Sequence, residues 1–117
     1  MGPAPHRLQR RAEFLRVAKL GQKVPVHGLV LQALHRDDAQ PARLGFTVTK
    51  KIGNAVARNR ARRLMRESFR QHQHELTKPV ELVLVARPSI AGRDFAQVEK
   101  DFLTTLRRAG LLKISNS

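Results

Sequence analysis

Eight Lys or Arg fall within the 21 residues from Lys50 to Arg70, KKIGNAVARNRARRLMRESFR, against a single acid, Glu67. That segment carries +7, half of the chain's formal +14. A block of like charge this dense repels itself into disorder unless packing holds it. Here apolar residues interrupt it at helical spacing. At about 100° per residue, Ala57, Ala61, Leu64, Met65 and Ser68 share an arc of about 100°, and Arg58, Asn59, Arg62, Arg63, Arg66 and Arg70 share about 140° on the other side. The pattern predicts a helix from Val56 to His72 with one stripe docked on a sheet and a charged stripe facing outward.

The chain's 117 residues suffice for one domain, 1–117, with residues 1–8 and 111–117 expected to be flexible. There is no Cys, which excludes disulfides, thiolate metal sites and cysteine nucleophiles. No apolar run approaches the roughly 20 residues that span a bilayer. The start, MGPAPHRLQRRAEF, lacks the apolar core of a signal peptide, so a cytoplasmic location is expected. With 23 Lys and Arg against 9 acids, the charge is that of a nucleic-acid binder. A membrane-surface helix would carry Trp, Phe and Leu on its apolar side, whereas the basic helix has a narrow stripe of Ala, Leu and Met.

Around that helix the elements read in order. Phe14, Val17 and Ala18 suggest a first helix from Arg10 to Leu20, stopped by Gly21. Residues 28–34 read as a strand, with a lead-in strand at 24–27 demoted by Pro25. Residues 44–49 alternate, with Leu44, Phe46 and Val48 on one face and Gly45, Thr47 and Thr49 on the other. Val80 to Ala86 reads as a strand covered on both faces. Asp94 caps a last helix bearing Phe95, Val98, Phe102, Leu106 and Ala109, which Gly110 stops. The result is an α+β domain.

No pair of carboxylates suggests general acid–base work, and no catalytic residue of the protein itself is expected. Asp94, Glu99 and Asp101 read as one helix's solvent side, Asp37-Asp38 as a polar turn, and His6, His27 and His35 as surface residues. His72 and His74, two apart, lie on different helix faces and make no metal-ligand pair. Sixteen of the 23 cations are Arg, whose planar fork matches phosphate and also stacks on bases. Phe46, Phe95 and Phe102 read as core; Phe14 is open between core and base stacking.

The segment FTVTKKIGNAVARNRARRLMRESFR resembles the signature of the bacterial ribonuclease P protein subunit. A strand ending in Thr49-Lys50-Lys51 leads through Gly53-Asn54-Ala55-Val56 to the box Arg58-Asn59-Arg60-Ala61-Arg62-Arg63. Arg7-Leu8, Glu13-Phe14, Phe69 and the run from Val83 to Pro88 fit the same family. The resemblance implies an α-β sandwich of order αβββαβα, like the second domain of a small-subunit ribosomal protein, with a left-handed βαβ crossover against the usual hand. It implies an accessory subunit of a ribonucleoprotein endoribonuclease that removes the 5′ leader of precursor tRNA. Catalysis would reside in the RNA subunit, with Mg²⁺ held mainly by that RNA.

Carried over residue by residue, the catalytic RNA would meet Lys50, Lys51, Asn54, Arg58, Asn59, Arg60, Arg62, Arg63 and Arg66. The single-stranded leader would lie in a cleft at Phe14, Val17, Lys19, Leu29, Leu31 and Gln32. Ala18, Leu29 and Gln32 stand where relatives often have aromatics, so contacts mainly to the leader backbone are expected. The competing readings are a ribosomal protein, which would bind ribosomal RNA and leave tRNA processing untouched, and a stand-alone nuclease or DNA-binding module. The box argues against the last two.

Overall fold

The computed structural model describes residues 6–37, 42–76 and 79–112. Eight named elements run in order: β1 (His6–Arg7), α1 (Arg11–Leu20), β2 (Gln22–Pro25), β3 (Leu29–His35), β4 (Arg43–Thr47), α2 (Ala55–His72), β5 (Val80–Ala86) and α3 (Phe95–Arg108). Apart from the two-residue β1, this is the expected order αβββαβα. The mixed sheet has strand order β1-β4-β5-β3-β2, so β5, the most apolar strand, lies at its centre. β4 and β5 are parallel neighbours joined by α2 as the crossover, and β3 is antiparallel to both β5 and β2.

The lead-in strand begins two residues earlier than expected, and Pro25 is its last residue. Because β2 is an edge strand, the missing N–H of Pro25 removes no central ladder bond. Residues 6–8, expected to be loose, have a fixed place. His6 and Arg7 pair with Arg43 and Leu44, the Leu8 N–H donates to the Leu44 carbonyl at 2.9 Å, and the Leu8 side chain is buried. At the other end Leu111 is fully buried and Leu112 bridges Leu76. The remaining terminal positions, 1–5 and 113–117, lie outside the described residues.

Strand parity sorts the side chains into two layers. Leu29, Leu31, Ala33, Leu44, Leu82 and Leu84 face α2 and α3, meeting Ala61, Met65, Phe69, Val98, Phe102 and Leu106. The Phe69 and Phe102 rings tilt against each other with centroids 6.3 Å apart. Truncating either ring to Ala removes about 3–5 kcal/mol. On the opposite face, α1 covers a smaller cluster in which Val17, Leu8 and Val83 are buried and Phe14, Leu34 and Val85 pack around them.

α3 begins as expected with a capping box, in which Asp94 accepts from the Gln97 N–H at 2.8 Å and the Gln97 side chain accepts from the Asp94 N–H at 3.0 Å. It ends at Gly110, whose φ of 72° lets the Leu111 N–H return to the Leu106 carbonyl at 2.9 Å. Phe95, read as core, is only part-buried at the first position of this helix.

Candidate nucleic-acid interface

Thr49 Oγ1 accepts from the Lys51 N–H at 3.3 Å, closing a single 3-10 turn over Lys50–Ile52. Ile52 turns inward and Lys50 and Lys51 stay exposed. Asn54 then caps α2, its Oδ1 accepting from the Ala57 N–H at 2.9 Å. The buried side of α2 is Ala61, Met65, Ser68 and Phe69, close to the predicted stripe; Phe69 extends it.

The predicted RNA-facing residues divide into two groups. Lys50, Lys51, Arg63 and Arg66 are exposed and Arg58 part-exposed, and no acid pairs with any of these five side chains among the described residues. The others carry structural bonds. Asn54 is the helix cap, and Asn59 Oδ1 accepts from Arg62 Nη1 at 2.9 Å, which orients that guanidinium along the helix. Arg60 reaches away from the outer face, its Nη2 donating to the Arg93 carbonyl at 2.7 Å. Further along α2, Arg70 grips Glu67 through Nε at 3.1 Å and Nη2 at 2.7 Å, and this holds the Glu67 carboxyl below its ordinary range. The helix's one acid therefore neutralises its last arginine, and the first three turns keep their charge.

Arg60 leads into a chain of bonds that the sequence did not announce. Arg93 holds Asp101 with Nε at 3.2 Å and Nη2 at 2.9 Å, and Asp101 Oδ2 also accepts from the Gly28 N–H at 3.2 Å. Asp101, read as a solvent-side residue, is thus buried and paired, linking α3 to the turn before β3. Removing one partner of such a pair costs about 3–5 kcal/mol because the other charge is left uncompensated.

On the other face, only part of the expected cleft comes together. Phe14 is part-buried on α1, Lys19 is exposed and Gln32 part-buried, all on that side. Val17 is on α1 too, but wholly buried beneath it. Leu29 and Leu31 are wholly buried in the layer beneath α2 and α3, on the far side of the sheet. The floor of the cleft is made instead by the alternate positions. Register places Thr47, Val85, Val30 and Pro25 in one row across β4, β5, β3 and β2, and Gly45, Val83, Gln32 and Lys23 in the next. Thr47, Val85, Val30 and Gln32 stay partly accessible and Pro25 and Lys23 exposed, so these side chains can meet a strand laid beside α1. The period-two pattern of β3 contained this information. Which parity faces the cleft depends on where α1 docks.

A charged cluster at the far end of α1 was also missed. Glu81, buried in the middle of an apolar strand, is met by Arg16 Nη1 at 3.4 Å and Arg43 Nη1 at 3.3 Å. Arg43 also pairs with Glu13. The N–H groups of Arg10 and Gln9, each 2.9 Å from Glu13 Oε1, and then Arg43 lower the Glu13 pKa to about 2.

His72, for which the sequence excluded only a ligand pair with His74, lies between two carboxylates: Nδ1 faces Glu75 Oε2, and Nε2 is 2.7 Å from Glu99 Oε2. Burial disfavours the charged ring, but Glu75 and Glu99 outweigh it and raise its pKa above the ordinary value. Among the described residues no group of three or more His, Asp or Glu is arranged to hold a metal ion, and no helix is long and apolar enough to cross a membrane.

Comparison with known proteins identifies the family and the fold. The family model described as Ribonuclease P matches residues 3–110. The chain is 56% identical over 112 residues to the ribonuclease P protein component of Gluconacetobacter diazotrophicus, covering 95% of this chain and 97% of the relative. It is 40% identical over 112 residues to that of Paramagnetospirillum magneticum, covering 92% and 84%. The RNase P protein of Staphylococcus aureus superposes with a TM-score of 0.84 at 28% identity, covering 92% of this chain and 98% of that one. The RNase P protein of Thermotoga maritima gives 0.78 at 28% identity, covering 95% and 99%.

Proposed function

The chain belongs to the ribonuclease P protein family, and from that premise we propose that it binds the catalytic RNA of ribonuclease P and the 5′ leader of precursor tRNA. The observation that carries the reading is the set Lys50, Lys51, Arg58, Arg63 and Arg66, held on the 3-10 turn and α2 with no acid in an ion pair with it among the described residues. A surface of this kind has a polyanion as its natural counter-charge, and each phosphate it neutralises releases condensed counterions.

Two RNAs must approach each other for the leader to be cut, and both are polyanions. The cations of α2 screen the catalytic RNA. Lys19 and Lys23 stand beside the cleft and screen the leader, while Phe14, Val30 and Val85 supply apolar contact to its bases or riboses. Screening on both sides lowers the divalent-ion concentration at which the complex forms. Mg²⁺ is, on this proposal, held mainly by the RNA subunit, which also carries out the hydrolysis. In this reading the protein works in the cytoplasm and positions substrate against catalyst.

The test is reconstitution. The chain is mixed with a bacterial ribonuclease P RNA at low Mg²⁺, and leader release from a precursor tRNA is followed. Cleavage at the mature 5′ end that needs both components is the expected result. Cleavage by the protein alone would move catalysis to the protein, and no cleavage with RNAs of both structural types, using folded protein, would overturn the assignment.

A further inference from the structure

Between the 3-10 turn, the first two turns of α2 and the loop after β5 lies a recess of about 270 Å³. Ile52, Ala57, Ala61, Ile90 and Ala91 form its walls, Gly92 its edge, and Arg60 is the one charged residue that lines it. Ile52, Ala61 and Ile90 are buried parts of the main core, so these walls are fixed by packing. The volume lies just below the roughly 300–1,000 Å³ of pockets that enclose drug-sized ligands, which suits one planar ring system and not a length of strand.

Arg60 gives the recess its chemistry. The bond from Nη2 to the Arg93 carbonyl fixes the guanidinium across the gap between α2 and the loop. Nε, Nη1 and the second hydrogen of Nη2 make no hydrogen bond among the described residues, so one side-by-side pair of donors remains for a ligand. No lining side chain accepts, so the ligand must supply acceptors of its own. Lys51 and Arg58 are chain neighbours of the lining residues Ile52 and Ala57, the first exposed and the second part-exposed. A flat ring carrying acceptors, with phosphates at its flanks, is one nucleotide of an RNA strand.

We propose that this recess receives a single unstacked base of the RNA that α2 binds, with guanine preferred. This rests on the RNA-binding reading of α2 and names a base contact within it. Guanine presents two adjacent acceptors, O6 and N7, that fit the donors of an arginine. Adenine offers one acceptor beside an amino group, for which the recess has no side-chain partner. The contact adds base recognition to an interface otherwise made with phosphates.

The experiment probes a bacterial ribonuclease P RNA with and without the protein, using base-specific reagents for the bases and hydroxyl radicals for the backbone. Ala91 is exposed on extended backbone, so Ala91→Phe fills the recess without touching the core. With the native chain, one base is expected to change reactivity within the backbone footprint of α2. Ala91→Phe should erase that change and lower affinity about 10–100-fold while the backbone footprint persists. Arg60→Met should keep the base in place but abolish the penalty for replacing that guanosine by adenosine. A base footprint identical in native and Ala91→Phe proteins overturns the recess alone. Absence of any footprint from the native protein overturns RNA binding by α2 and the recess with it.

Discussion

The ring of Phe14 lies so close over Gly45 that a Cβ built on the glycine would stand 2.6 Å from both Cε2 and Cζ of the ring. Side chain and backbone thus interlock across α1 and β4, and the absence of a methyl group sets how deeply the ring sits beside the cleft.

Gly45→Ala should lift Phe14 from this seat. The clash is with the free end of a side chain, so the strand need not move, and overpacking of this kind costs about 1–3 kcal/mol, readable as a lower urea midpoint. In the reconstituted enzyme the preference for precursor over mature tRNA should shrink, as with Phe14→Ala, while affinity for the RNA subunit holds. Equal weakening toward both tRNAs would show that Phe14 serves the fold and not the leader.

Charge reversal separates the free cations of α2 from the tied ones. Arg63→Glu with Arg66→Glu should weaken binding to the RNA subunit. The plot of log affinity against log salt should flatten by about 0.7–0.9 for each phosphate no longer neutralised. Reversing Arg70, already held by Glu67, should leave the slope nearly unchanged. If the two reversals give the same slope, the division of the helix face is wrong.

The cap of α2 predicts a stability effect at the mouth of the RNA surface. Asn54→Ala leaves the Ala57 N–H without its acceptor and should cost about 0.5–2 kcal/mol. Asn54→Ser restores an acceptor and should recover most of it. Hydrogen exchange at Ala57 and Arg58 reads the change directly; uniform exchange across the three proteins would mean the cap contributes nothing.

The His72 bridge predicts a stability that depends on pH. The folded pKa lies above the unfolded value of 6.5, so the contribution is complete below that pH and disappears as pH rises through the folded value. Denaturation measured from pH 6 to 9 should show the native chain losing stability relative to His72→Gln. The opposite slope would mean that the ring is neutral in the fold and that Glu75 and Glu99 do not hold its second proton.

Local order was largely legible. The stripe of α2, the Asp94 cap and the Gly110 stop each rest on near neighbours in the chain, and each appears where the pattern put it, while β4 runs Arg43–Thr47 and stops two residues short of the expected 44–49. Long-range pairing was not legible. Nothing near Glu81 in sequence foretells Arg16 and Arg43, and Asp101 looks solvated until Arg93 and Gly28 close on it. The family box located the cationic surface but not its division, since the bond of Arg60 to the Arg93 carbonyl spans 33 positions. Alternation along β3 separates Leu29 and Leu31 from Val30, yet it cannot say which of the two faces a given helix will cover.

β4 ends with Thr47 on the cleft floor, and Lys50 of the α2 surface follows three residues later. Three extended residues span at most about 11 Å, close to the Debye length of about 8–10 Å at moderate salt. On the proposed reading, a leader on the floor and a catalytic RNA on the box would feel each other's phosphates across this short distance. Their bindings would then be thermodynamically linked: whatever factor the catalytic RNA adds to leader affinity, the leader would return to the grip on the catalytic RNA.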